Sequence, residues 1–216
     1  MEFSVGSALR FGWETFKKRP WFFVGATAIL AAASIGVENL TRAIDSTLSG
    51  APDHRTLLGF IVSWALGTLI GMGGTAFYLA AHDNPDTVEL SALWHPRPFW
   101  KYLGTSILVG LAVGVGLLLL IVPGVIFALM FMFWAFLVIE RQLAPIEAMK
   151  ESNRITSGHK WNLLGLLLML ILVNLLGALA LIVGLLVSIP VTVLAATHVY
   201  RILSGHAGPA DAALAA

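Results

Sequence analysis

Residues able to do chemistry are sparse in this chain. The connection His82–Lys101 holds His82, Asp83, Asp86, Glu89 and His95, types that suit zinc or manganese. Their spacing follows no metal-ligand pattern, and Pro85, Pro96 and Pro98 interrupt the segment, so it reads as a solvated loop. Glu38, Asn174 and His198 stand within or beside apolar runs. Asn174 alone lies near the middle of one, where an interhelical hydrogen bond is its expected use. Gly-rich phosphate loops, a Gly-x-Ser-x-Gly elbow and His-Glu-x-x-His are absent. No catalytic constellation assembles, and the chain is read as non-enzymatic, with no metal and no cofactor.

Two polar segments carry the remaining charge. Near the N-terminus, Val5, Ala8, Leu9, Gly12, Trp13 and Phe16 recur at helical spacing, which predicts one apolar face. Arg10, Glu14, Lys17 and Lys18 lie opposite, with Glu14 and Lys18 spaced for an i,i+4 pair. That pattern fits an interfacial helix under an anionic leaflet, and equally a docking site for lipid or a partner. The segment Ala144–Lys160 has Pro145 suited to a first helical turn and Gly158 suited to a C-terminal cap. Ile146, Met149, Asn153 and Thr156 share one predicted face, and Glu147, Lys150, Glu151 and Arg154 form a charged network on the others. Arg10, Lys17, Lys18, Lys150 and Arg154 are the candidate contacts for lipid or a protein partner.

Composition fixes the medium in which these segments sit. Of 216 residues, 58% are hydrophobic and 12% charged, about half the charged share of soluble chains. Mean hydropathy is +0.86. Thirteen basic against 12 acidic residues give no case for nucleic acid, and with no Cys there is no disulfide framework. Four stretches lack Asp, Glu, Lys and Arg: Pro20–Val37, Leu57–Ala81, Tyr102–Ile139 and Trp161–Tyr200. A helix crosses ~30 Å of hydrocarbon with about 20 residues, so the first two stretches make one span each and the longer two must fold back.

Pro123–Gly124 marks the turn in the third stretch; Gly177 and Gly184 compete in the fourth, with Gly184 favoured. The expected spans are 20–38, 57–81, 102–122, 124–140, 161–183 and 185–203, forming one membrane domain over 1–204 with a disordered tail at 205–216. Trp21–Gly25, Trp100–Gly104 and Trp161–Gly165 each read Trp-x-x-x-Gly ahead of a hairpin. The expected architecture is therefore all-α: six transmembrane helices in three hairpins, each preceded by a short interfacial or polar helix.

Eleven of the 13 basic residues fall on the side shared by both ends of the chain, leaving Arg42 and Arg55 opposite. The positive-inside rule makes that side cytoplasmic, in a bacterial inner membrane. Lys17–Arg19, Trp21–Leu30 and Ala31–Ala33 also fit a cleavable leader, but the patterned helix ahead of them favours retention. Small residues every four positions, Gly59 to Thr75 and Ser106 to Gly114, suit close packing within the bundle or a homodimer seam.

From Pro123–Gly124 onward the chain resembles bacterial multi-pass proteins related to the membrane domain of glycerophosphodiester phosphodiesterases. Glu147, Ala148, Ser152, Thr156, Gly158 and Trp161 carry the likeness, which covers about Ile121–Tyr200. The hydrolytic chemistry of those enzymes belongs to a separate soluble barrel of some 250 residues. The resemblance thus implies a stand-alone membrane module that binds a partner or lipid, with a small transporter or channel as the alternative.

Overall fold

The computed structural model describes residues 3–50, 55–95 and 97–205, apart from the side chains of 181 and 182. Nine helices and one 3₁₀ turn, with no strand, make up the described residues: α1 Val5–Lys18, α2 Pro20–Ser49, α3 Leu57–Asp83, the turn Leu90–Leu93, α4 Phe99–Leu119, α5 Ile121–Met130, α6 Trp134–Arg141, α7 Pro145–Thr156, α8 Lys160–Leu179 and α9 Leu181–Ser204. Six helical stretches are long and apolar enough to cross a membrane, with α5 and α6 together forming the fourth. Helix α2 packs on α3, α4 on α5, and α8 on α9.

Three expected boundaries move. The first span does not stop at 38: α2 runs on to Ser49, because Glu38 and Arg42 pair at i,i+4 spacing and the helix stops only at Gly50, φ 67°. The turn in the third stretch lies at Leu120, not at Pro123–Gly124, which sit inside the first turn of α5 where proline is tolerated. In the fourth stretch the turn lies at Ala180, between the two glycines that competed for it. A Cβ on Gly184 would lie 2.1 Å from the Gly177 carbonyl oxygen, and one on Gly124 would lie 2.4 Å from Leu117. These glycines let the paired helices close together beside each turn.

The fourth span is broken at residues 131–133, and α7 repairs the break. The Ser152 hydroxyl donates to the Met130 carbonyl at 2.9 Å and accepts from the Phe133 amide at 3.3 Å, while Thr156 donates to the same carbonyl at 3.3 Å. Ala148, Ser152, Ile155 and Thr156 form the buried face of α7. Of the four residues expected to share a face, Thr156 is buried, Met149 and Asn153 are partly buried, and Ile146 is 61% exposed. Pairing freed backbone groups outweighs burying one isoleucine where lipid can cover it.

Helix α1 keeps most of its expected face, with Val5 and Leu9 packed on the core, and widens it on one side. Ala8, Phe11, Gly12, Thr15 and Phe16 are buried, and Trp13 turns outward. The backbone of α9 causes this: a Cβ on Gly12 would lie 2.3 Å from the Val191 carbonyl oxygen, so the glycine edge sets the contact. The segment after α3 is not wholly solvated, since Val88 is buried and the Leu93 carbonyl rests against Gly73. Gly205 caps α9 at φ 74°; residues 206–216 of the expected tail lie outside the described residues.

Small-residue spacing serves packing only in part. Gly59 meets the Asp45 carboxylate and Gly71 meets Tyr102, whereas nothing lies within 4 Å of a Cβ on Gly67, Gly110 or Gly114.

Candidate functional site

The end of the bundle that carries α1 also gathers the last turns of α3, α6 and α9, and a buried polar network joins them. Arg201, with its side chain 8% exposed, places Nη2 2.5 Å from Asp83 Oδ2 and binds Glu140 through Nη1. The Tyr200 hydroxyl donates to the other Glu140 oxygen. His82 Nδ1 stands 3.3 Å from Asp83 Oδ1, and His82 Nε2 lies 3.3 Å from His198 Nδ1. Phe11 of α1 stacks on the His198 ring with centroids 4.1 Å apart.

A buried guanidinium is costly unless its charge is matched, and two carboxylates from different helices supply the match. Its Nε is the one donor of the group left without a hydrogen-bond partner. One imidazole nitrogen of the His82–His198 contact must donate while the other accepts. A cleft of about 350 Å³, lined by Ser4, Ser7, Arg10 and His198, reaches this pair from the α1 side. The chemistry available is charge pairing and proton sharing at one end of the bundle, and its plain consequence is to clamp three helix ends.

Of these groups, the sequence reading singled out His82, Asp83 and His198 but placed the first two in a loop; they lie in the last turn of α3, with His82 fully buried. Glu140, Tyr200 and Arg201 were missed. Their signal was present: Asp83, Glu140 and Arg201 each stand just past an uncharged stretch, at the ends of the second, fourth and sixth spans. An even span count puts those ends on one side. No group of three or more His, Asp or Glu able to hold a metal occurs among the described residues.

The five candidate contact residues form two exposed patches, on α1 and on α7, and are not brought together. Arg10 pairs with Glu14 at 2.8 Å, and Lys18 turns to Asp86 at 4.0 Å, so the expected Glu14–Lys18 pair does not form. Arg154 meets both oxygens of Glu151, at 2.7 and 2.6 Å, and Arg141 meets Glu151 at 3.0 Å. The Arg154 hydrogen bonds, aided by the Arg154 and Arg141 charges, hold the Glu151 carboxyl below the usual range. Lys17 and Lys150 are exposed.

Asn174 does bridge helices. Its amide donates to Thr192 Oγ1 at 3.1 Å, and Ser188 donates to its carbonyl oxygen at 2.9 Å.

No solved structure matches the chain. Uncharacterized proteins of Mycobacterium tuberculosis and Mycobacterium bovis are each 29% identical over 94% of this chain and 69% of their own length. Residues 94–213, a stretch that starts just past the 3₁₀ turn and includes α4 to α9, match the family described as a domain of unknown function (DUF7847), and since this is more than half of its length the chain belongs to that family.

Proposed function

We propose that this chain is a non-enzymatic multi-pass module of the bacterial inner membrane, with both termini cytoplasmic, whose cytoplasmic face binds anionic lipid headgroups or an acidic partner protein. The observation that carries the reading is a belt of tryptophans. Trp21, Trp100 and Trp161 are each the second residue of their helices and are 86%, 79% and 84% exposed. Such rings favour the headgroup level, which would set Arg10, Lys17, Lys18, Lys150 and Arg154 beside the anionic surface.

In this reading α2–α3, α4 with α5–α6, and α8–α9 are three membrane hairpins. Helix α1, the 3₁₀ turn and α7 precede them in order at the interface. Kinship with the membrane domain of glycerophosphodiester phosphodiesterases is part of the same proposal, supported by the Ser152 and Thr156 roles at the broken span. It implies a module without hydrolysis.

A small transporter or channel is the second reading. The broken fourth span favours it, because discontinuous helices line many substrate sites.

The test is lipid enrichment around the purified chain in phosphatidylcholine–phosphatidylglycerol nanodiscs. Reversing Lys17, Lys18, Lys150 and Arg154 to Glu should abolish phosphatidylglycerol enrichment, since each basic residue near the surface contributes about 1 kcal/mol. Unchanged enrichment, together with no partner lost on co-purification, would refute the binding reading. Solute flux in liposomes would favour the transporter.

A further inference from the structure

We infer that the connection between α3 and α4 is a re-entrant segment that carries Leu90–Trp94 into the hydrocarbon of the cytoplasmic leaflet, where Leu90 and Trp94 face acyl chains. The inference deepens the reading above and rests on it for the position of the bilayer alone. It moves the 3₁₀ turn from the interface, where α1 and α7 lie, into the leaflet.

Two helices measure the depth independently. On α3, a Cβ on Gly73 would lie 2.0 Å from the Leu93 carbonyl oxygen, so the turn rests directly on that glycine. Gly73 stands ten residues before Asp83, the last residue of α3, which is about 15 Å of helix. On α2, Ile29, Leu30 and Ala33 line a groove together with Leu90, Leu93 and Trp94. Leu30 stands nine residues past Trp21, about 14 Å along the helix. With Trp21 at the headgroups, Leu93 therefore lies near the middle of a hydrocarbon core ~30 Å thick. A helix tilt of about 20° shortens either distance by only about 1 Å.

Entry is fastened at the interface. Arg19 Nη1 donates to the Asp86 and Val88 carbonyls at 3.2 and 3.0 Å, with its guanidinium 3.9 Å from the centre of the Phe22 ring. Glu89 follows the fastened Val88 and so stays near the interface. Ser91, the one polar side chain of the turn, donates to the Glu89 carboxylate at 3.2 Å. Backbone groups at membrane depth must be paired or covered by protein. The Ala92 and Trp94 amides donate to the Glu89 and Ser91 carbonyls at 3.2 and 3.0 Å, and the Leu93 carbonyl is pressed on α3. The large side chains left outward are apolar: Leu90 is 42% and Trp94 74% exposed. Trp100, six residues past Trp94, is back at the belt, within the about 20 Å that six extended residues reach. The connection is thereby withdrawn from the cytoplasmic face, which leaves α1 and α7 as the docking surfaces there.

The chain has no Cys, so a spin label can be set at one site at a time in the full chain. In phosphatidylcholine–phosphatidylglycerol liposomes, collisions with oxygen and with a nickel chelate read the depth of each label. The label on Trp94→Cys should lie about 10 Å deeper than one on Asp86→Cys. Leu90→Cys supplies a second site if the indole is needed for folding. Gly73→Ala should drive the Trp94→Cys label outward, because the added methyl meets backbone. Gly74→Ala, whose Cβ would meet Leu30 at an ordinary 3.5 Å, should leave the label in place. Arg19→Gln removes the tether and should also move the label outward. A label on Ile35→Cys, at a position of α2 that is 62% exposed, checks the bilayer itself. If Ile35→Cys reads hydrocarbon while Trp94→Cys and Leu90→Cys read water, the re-entrant segment fails and the bilayer placement stands. If Ile35→Cys reads water too, the placement fails and takes the inference with it. A deep Trp94→Cys label that neither Gly73→Ala nor Arg19→Gln displaces also overturns the inference, since the turn would then not be held on α3.

Discussion

Arg201 Nη2 lies 2.5 Å from Asp83 Oδ2, tying together residues 118 positions apart at the ends of α9 and α3. Because Glu140 of α6 shares the same guanidinium, one side chain closes three helices. Arg201→Gln should destabilise the bundle by about 1–2 kcal/mol, since it removes the charge that Glu140, 22% exposed, pairs with, while Asp83, 41% exposed, is largely resolvated. Thermal unfolding in detergent reads the loss. Adding Asp83→Asn and Glu140→Gln should recover part of it, because the stranded charges disappear. An unchanged melting temperature in the single variant would mean that the clamp contributes nothing.

Hydrophobic runs made the six helices of membrane-crossing length and the polar Asn174 legible in the sequence, because the thickness of a bilayer sets the length of such a run whatever the packing. Turn positions were less legible. Proline and glycine mark a turn only where backbone angles need them, whereas Pro123, Gly124, Gly177 and Gly184 serve entry into a helix and close helix approach. Helix faces were legible in part. Apolar periodicity found Ala8, Gly12 and Phe16 of α1, but it gives no weight to a serine, and Ser152 is buried on α7 because the broken span needs its hydroxyl. The Arg201 network escaped notice because its members are far apart in sequence, and only the even span count places them together.

Ser152→Ala should cost about 2 kcal/mol of stability, since it leaves the buried Phe133 amide without an acceptor and the Met130 carbonyl with Thr156 alone. Ser152→Thr, which keeps the hydroxyl, should lose less if the added methyl is accommodated. Hydrogen exchange at Phe133 supplies the second readout: faster exchange in the alanine variant is expected, and unchanged exchange would assign Ser152 a packing role only.

The proposed topology puts Ser49, the last residue of α2, and Ser157, just after α7, at opposite ends of the bundle. Both residues are exposed, so cysteines placed there should react freely once reached. In intact cells an impermeant maleimide should label Ser49→Cys. Ser157→Cys should label only after permeabilisation. The reverse pattern would invert the proposed orientation and remove the basic patches of α1 and α7 from the cytoplasm.

Glu151 offers a pH-dependent test of how α7 is fastened to α6. Its carboxyl is held below the usual range, chiefly by the Arg154 hydrogen bonds. A carboxylate with a lowered folded-state pKa contributes stability above its ordinary value of about 4.3, and that contribution is lost as pH falls through the lowered value. Glu151→Gln should therefore be less stable than wild type at neutral pH, and the gap should close on acidification below about pH 4. The size is modest. Arg154, the chief partner, is 71% exposed and its attraction for Glu151 is screened by solvent, so the effect is at most about 1 kcal/mol. Melting temperatures of both proteins across that pH range decide the matter. Parallel curves would show that Glu151 is not linked to folding, and the fastening of α7 would then rest on its buried face of Ala148, Ser152, Ile155 and Thr156.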